Sequence, residues 1–452
     1  MASHLQDNES LIAATHVCHF WRWALISSPR LWSNLILGDE SRAQVFLERS
    51  KFVPVSVEIR GKRRLPKTVR EILKEIAERL TALRAEHISS LDELFIKPLP
   101  MLRNLDITTS GFPSSNASRT LFHVHNLTSF VFTLRSSGFV APRLGDSLLK
   151  FLQSCPLLEV AFFDYCDLEQ DIESTIGEAS TKAVSLPHLR SFTHESPLEM
   201  IPVGLFNRLS LQPTCNLAFT IRDKLFRSDA NPWDDGFPIL RDQSYLSDIK
   251  MIKIAFDIED EDAIIVKVKL LNSKHTKISL KRLKTPRACP SLAEVVKGVL
   301  DFLGSTETAH SVEILRLEYC PLLPPEKYNV PELTRLLREF RRLETLVLWG
   351  YNPAYFLEGL IPPVASCHFL QKLVIYPAHT PESAELQVLK SVRDCAVSRK
   401  DCGVPLKAVS LYLREAETLS HSILVGELKS CVELVNVFRA SSWRESSWVG
   451  GS

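Results

Sequence analysis

One arrangement of apolar and polar positions runs through this chain: apolar-x-x-apolar-x-apolar. It is read as LRNLDI from Leu102, LTSFVF from Leu127, LLEVAF from Leu157 and LRSFTH from Leu189. It returns as VEILRL from Val312, LETLVL from Leu343, LQKLVI from Leu370 and LKAVSL from Leu406. Within each group of four, copies start 25 to 36 residues apart. Weaker copies, TCNLAF from Thr214, IKMIKI from Ile249 and HTKISL from His275, partly fill the interval between the groups. LDELFI from Leu91 also fits, but it lies too close to Leu102 for both to be full units. The second half of the pattern alternates, as a half-buried strand requires. Between copies the period is helical: Leu333, Leu336, Leu337, Phe340 and Leu343 share one face, and DSLLKFLQSCP and LAEVVKGVLDFLG behave alike. A short strand and a helix repeated at such intervals predict an α/β solenoid whose units bury their apolar faces by stacking. The competing expectation is an ordinary α/β domain with alternating strands and helices.

The pattern resembles that of the leucine-rich-repeat family in an irregular form, since the Asn or Cys that usually follows is mostly missing. The resemblance implies a curved, mostly parallel sheet over residues 91–436. With positions one, four and six pointing inward, positions three, five and seven would face the other, concave side. Position seven holds Thr108, Thr133, Phe163, Glu195, Glu318, Trp349, Tyr376 and Tyr412. Trp349, Tyr376 and Tyr412 would then form an aromatic row on adjacent strands, with Arg316, Glu318 and Lys372 supplying charge. Aromatic anchors with a polar surround suit a protein-binding hot spot, so these six residues are the expected target-binding site. Alternatively the rings cover strand ends and pack beneath loops such as YNPAYF.

The opening stretch LIAATHVCHFWRWALISSPRLWSNLIL holds three tryptophans between Leu11 and Leu37. Leu11, Ala14, Cys18, Trp21 and Leu25 step by three and four along one helical stripe, and Ser27, Ser28 and Pro29 end it. HVCHFWRWALISSPRLWSNL resembles the second half of an F-box, V-C-x-x-W-R followed by P-x-L-W, in Val17, Cys18, Trp21, Arg22, Pro29, Leu31 and Trp32. The following RAQVFLERSKFVPVSVEI resembles the segment after the F-box in many fungal members. The family's first helix, opening with L-P-x-E, has no counterpart in MASHLQDNES. The resemblance implies a partial F-box over 1–37, a connecting segment and cap over 38–90 and the repeats over 91–436, and the composition of SSWRESSWVGGS adds a disordered tail, set at 437–452. The resemblance also implies a substrate receptor of a cullin–RING ubiquitin ligase, with a cullin scaffold as a partner and a Skp-type adaptor docked through Leu11, Val17, Trp21, Leu25, Leu31 and Trp32. The alternative is a repeat scaffold for a protein partner that has lost adaptor docking. Trp21 and Trp32 could equally pack the N-terminal segment onto the first repeats, whereas Phe20 and Trp23, if exposed, would mark a contact surface.

Composition narrows the chemistry. A formal net charge of +1 offers no field for nucleic acid or an anionic membrane. Sixteen glycines in 452 residues disfavour glycine-rich phosphate loops. The ten cysteines include no C-x-x-C pair and read as reduced thiols. No secretory h-region and no membrane-length apolar run is present, so a cytoplasmic and/or nuclear location is expected. None of the phosphate-loop, dinucleotide, nucleophile-elbow or zinc-protease motifs occurs, and the thirteen histidines lack metal-site spacing. The basic run RGKRRLPK from Arg60 and the acidic run from Asp257 to Asp262 read as charged loops. No enzyme, cofactor or metal is expected.

Overall fold

The computed structural model describes residues 8–38, 40–60, 65–88, 94–95, 97–109, 124–135, 144–166, 183–197, 209–212, 214–222, 249–260, 263–272, 277–284, 292–303, 306–318, 330–350, 356–357, 360–361, 367–376, 382–413 and 419–439. Positions 61–64 of the basic run, 261–262 of the acidic run and 440–452 of the tail lie outside them, as do 351–355 in YNPAYF. The fold is mixed α/β with mostly parallel strands, and the chain divides into two compact units, Met1–Asn216 and Leu217–Ser452. Among the described residues no strands close into a barrel.

The first unit runs α1 (Asn8–Ala14), α2 (His19–Ile26), a 3-10 turn (Pro29–Trp32), β1 (Asn34–Ile36), α3 (Glu40–Ser50), β2 (Val55–Ile59), α4 (Lys67–Ile76), β3 (Leu80–Ile88), β4 (Asn104–Thr109) and β5 (Ser129–Arg135). It continues with α5 (Leu144–Gln153), β6 (Val160–Cys166), β7 (Val184–Leu186), β8 (Ser191–Pro197) and β9 (Leu209–Leu211). Strands β1 to β6 and then β8 lie side by side in chain order, all parallel, while β7 and β9 form a separate pair. Helix α4 shows why the helices cover this sheet: Val69, Ile72, Leu73 and Ile76 recur at i, i+3, i+4 and i+7 and are all buried.

The parallel sheet starts well before residue 91. Register places Leu35, Val57, Leu83, Leu105, Phe130, Ala161 and Phe192 in one row at position four. Read back from that row, WSNLIL from Trp32 and LTALRA from Leu80 are copies of the pattern, with Trp32, Leu35, Leu37, Leu80, Leu83 and Ala85 all buried. The segment expected to connect and cap therefore contributes β2 and β3 to the sheet itself. Leu94 and Phe95, the two described residues of LDELFI, are buried outside any strand.

The copy assigned to Leu157 is one residue out of register. Leu157 is exposed, and Leu158, Ala161 and Phe163 are the buried residues of β6 and its approach. Side chains alternate with a period of two, so a one-residue slip exchanges the faces. Phe163 moves from the expected concave row into the core, where its ring meets Phe130 at 5.6 Å and Phe192 at 5.5 Å. Asp164 takes position seven instead.

The second unit holds β10 (Asn216–Arg222), β11 (Ile249–Asp260), β12 (Ala263–Asn272), β13 (Lys277–Lys284), α6 (Leu292–Leu303), α7 (Thr306–Ser311), β14 (Ile314–Glu318), α8 (Val330–Leu337) and β15 (Thr345–Trp349). After them come β16 (Lys372–Tyr376), α9 (Glu382–Asp401), β17 (Ala408–Leu413), α10 (Leu419–Cys431) and β18 (Leu434–Arg439). Strand order is β10-β13-β12-β11-β14-β15-β16-β17-β18. The weak copies between the two groups are thus not a plain continuation, because β11, β12 and β13 form an antiparallel meander whose outer strands pair in parallel with β14 and β10. VELVNV from Val432 is a further copy, and residues 437–439, expected in the tail, close β18.

A turn precedes several of the copies, among them those at Leu102, Leu127, Leu189, Leu343 and Leu370. The N–H at position one donates to the carbonyl three residues earlier: Leu102 to Leu99 at 3.1 Å, Leu127 to Val124 at 3.0 Å, Leu343 to Phe340 at 3.2 Å and Leu370 to Cys367 at 3.1 Å. Leu99, Val124, Phe340 and Cys367 are buried, as are Cys155 and Leu186 at the equivalent places. The unit is therefore three residues longer than the pattern read from sequence.

Candidate functional site

Two surfaces carry the residues singled out above. In α2 (HFWRWALI), Cys18 caps the N-terminus, its Sγ accepting from the Trp21 N–H at 3.5 Å, and Leu25 is the one buried side chain. Arg22 Nε donates to the Thr15 carbonyl at 2.9 Å, tying the end of α1 to α2. Val17 is 68% exposed, Phe20 70%, Trp21 41% and Trp23 64%. Phe20, Trp23 and the exposed Ile26 recur at intervals of three along α2, so they form one apolar stripe facing solvent.

Leu11, Leu25 and Trp32 are elsewhere. All three are buried in this chain's own core, which withdraws them from the expected adaptor-facing set. Trp32 occupies position one of the first copy, where its ring meets Phe46 of α3 edge-on at 4.9 Å and the Arg49 guanidinium lies 4.2 Å from its centroid. Leu31 is half-buried. Of the six expected residues, Val17 and Trp21 are presented to solvent. Phe20 and Trp23, whose exposure was expected to mark a contact surface, join them.

In the second unit the aromatic row forms. Trp349 and Tyr376 are in register on β15 and β16 with ring centroids 4.9 Å apart, and Tyr412 of β17 lies 5.6 Å from Tyr376. The row extends one ring further, to Phe438 of β18, stacked on Tyr412 at 4.8 Å. On the other side the Arg316 guanidinium sits 5.2 Å from the Trp349 centroid and pairs with Glu318, which Lys253 of β11 also engages at 2.8 Å. Partial burial raises the Tyr412 phenol above its ordinary range, so it is a neutral hydroxyl at physiological pH. Lys253 and Phe438 were missed because one lies in a weak copy and the other in a copy not taken.

Lys372 is not part of this cluster. It begins β16, in register with Thr345, four residues from Tyr376 and so roughly 13 Å away along the strand. Position five also departs from expectation. Val347, Val374 and Ser410 are buried, so this face is covered midway along β15 to β17 and open chiefly at the half-exposed rings.

No cluster of three or more His, Cys, Asp or Glu side chains placed to hold a metal ion occurs among the described residues, and no helix there is long and apolar enough to cross a membrane. Compared with known proteins, the chain matches no family model and no curated sequence.

Proposed function

We propose that this chain is the substrate-recognition subunit of a cullin–RING, SCF-type ubiquitin ligase, acting in the cytoplasm and/or nucleus. In this reading the N-terminal helices are a partial F-box that docks a Skp-type adaptor, and the strands and helices that follow are an irregular leucine-rich-repeat solenoid that holds a protein target. The chain performs no bond chemistry; it raises the concentration of its target beside another protein's active site. The observation that carries the reading is α2. A short helix with one buried side chain exposes Phe20, Trp21 and Trp23, with Val17 beside them, and such aromatic surface is what a partner's pocket desolvates. The recurring pattern with its preceding turn supports the solenoid, and the row from Arg316 to Phe438 is the proposed target surface.

A second reading draws on the burial of Leu11, Leu25 and Trp32. With those residues committed to the chain's own core, the helices become a cap and the protein a repeat scaffold that has lost adaptor docking. The deciding experiment is a pull-down of the full chain with purified Skp-type adaptor, beside a Trp21→Ala, Trp23→Ala double variant. Binding that the variant loses at unchanged Tm supports the receptor. Absence of binding by the folded wild-type chain overturns it in favour of the scaffold.

A further inference from the structure

The turns before β14, β15 and β16 enclose a trough of about 650 Å³ lined by His310, Ser311, Glu313, Arg341, Arg342, Glu344 and Phe369. Its composition follows from the repeating turn. Two residues before position one stand His310, Arg341 and His368; one residue before it stand Ser311, Arg342 and Phe369; position two supplies Glu313, Glu344 and Gln371. Backbone hydrogen bonds hold the three turns in step: the Glu344 N–H donates to the Glu313 carbonyl at 2.9 Å, and the Gln371 N–H to the Glu344 carbonyl at 2.9 Å. Equivalent side chains therefore stand in columns that run across the strand ends.

The charges in these columns are unequally satisfied. Glu313 is neutralised by Lys250 at 2.7 Å, and Ser311 donates to the Ile249 carbonyl at 3.0 Å. Arg341 and Arg342 are both exposed, and among the described residues neither guanidinium has an ion pair or hydrogen bond. The buried Nε2 of His310 has no hydrogen-bond partner. Glu344 is the single uncompensated carboxylate of the lining, against two guanidinium groups, and the largely exposed ring of Phe369 supplies an apolar wall. Three neighbouring turns span roughly 10 Å at the spacing of parallel strands, the reach of about three extended residues. The volume lies in the range of formed ligand sites.

We propose that this trough binds an extended acidic peptide segment, with Arg341 and Arg342 taking its carboxylates and Phe369 covering an adjacent side chain. The site is separate from the aromatic row, and it stands whether or not α2 docks an adaptor. If the receptor reading holds, it adds a preference for targets with an acidic segment. Guanidinium groups suit this task because their planar fork meets a carboxylate with two parallel hydrogen bonds.

The test is fluorescence anisotropy of the full chain with a labelled hexaglutamate peptide, beside hexaglutamine and hexalysine peptides of equal length. Hexaglutamate is expected to bind more tightly than either control and to weaken as salt is raised. Arg341→Gln, Arg342→Gln should lose about tenfold in affinity at unchanged Tm. Lys390→Gln, Lys429→Gln removes the same charge from α9 and α10 and should keep wild-type affinity. No preference for hexaglutamate, or an equal loss in both double variants, overturns the proposal. Adaptor binding by Arg341→Gln, Arg342→Gln is read separately, so failure here is distinguishable from failure of the receptor reading.

Discussion

The indole Nε1–H of Trp32 donates to the carbonyl oxygen of Leu25 at 2.8 Å. Leu25 lies in the last turn of α2, where its carbonyl also accepts the Ser28 N–H at 3.1 Å, and Trp32 fills the first pattern position, just ahead of β1. One hydrogen bond thus joins the helix that exposes aromatic surface to the core that supports it.

The two tryptophans should respond oppositely to truncation. Trp32→Ala leaves a large core cavity and removes one donor from the Leu25 carbonyl, which keeps the Ser28 N–H at 3.1 Å, and is expected to cost about 4 kcal/mol in urea unfolding. Trp23→Ala removes an exposed ring and should change stability by less than about 0.5 kcal/mol. Similar losses from both would mean that Trp23 is packed as tightly as Trp32.

Stability should fall as pH drops below 6.5. His194 points inward from β8, and burial pushes its imidazole down from 6.5 to about 3. The folded chain keeps it neutral, while the unfolded chain takes up a proton through 6.5. Its contribution is therefore complete above 6.5 and is lost progressively towards 3. At pH 5 the loss is about 2 kcal/mol. Urea midpoints at pH 7 and 5 for wild type and His194→Leu measure it, since the variant should lack that part of the decline.

Thiol reactivity should divide by burial. Burial raises Cys155 and Cys215 to about 12 and Cys367 and Cys395 to about 11, so at pH 8 their thiolate fraction is roughly one in a thousand or lower. Cys18 and Cys402 are exposed. Mass spectrometry after brief iodoacetamide treatment should find Cys18 and Cys402 alkylated and those four intact until urea is added.

A buried guanidinium holds the turn before β16. Arg399 of α9 donates to the carbonyls of Cys367 at 2.9 Å and Leu370 at 3.3 Å. The Cys367 carbonyl keeps the Leu370 N–H when the guanidinium is removed, whereas the Leu370 carbonyl loses this donor. Arg399→Ala should cost about 3 kcal/mol from that loss and the cavity, with hydrogen exchange accelerated over 367–376.

The strands at Leu102, Leu127, Leu189, Val312, Leu343, Leu370 and Leu406 were legible because an alternating apolar run has few other ways to bury itself. At Leu157 two adjacent leucines offered both registers, and only the neighbouring strands chose between them. WSNLIL and LTALRA carry the same pattern less visibly, one inside the stretch that resembles an F-box and the other with only alanine, Ala85, at its sixth position. The aromatic row was legible as well, because equivalent positions on adjacent parallel strands become neighbours, whereas Lys372 occupied a different row.

Residue order alone determined the strand-and-helix alternation, the inward set of most copies and the alignment of Trp349, Tyr376 and Tyr412, since these follow from local periodicity. Tertiary structure decided what depends on contacts distant in sequence. It set the start of the sheet at Asn34, the antiparallel meander of β11 to β13, the covering of Val347, Val374 and Ser410, and the division of the opening aromatics into buried Trp32 and exposed Trp21 and Trp23. An amphipathic period states which side chains share a face, but only the partner laid against that face makes it core or surface.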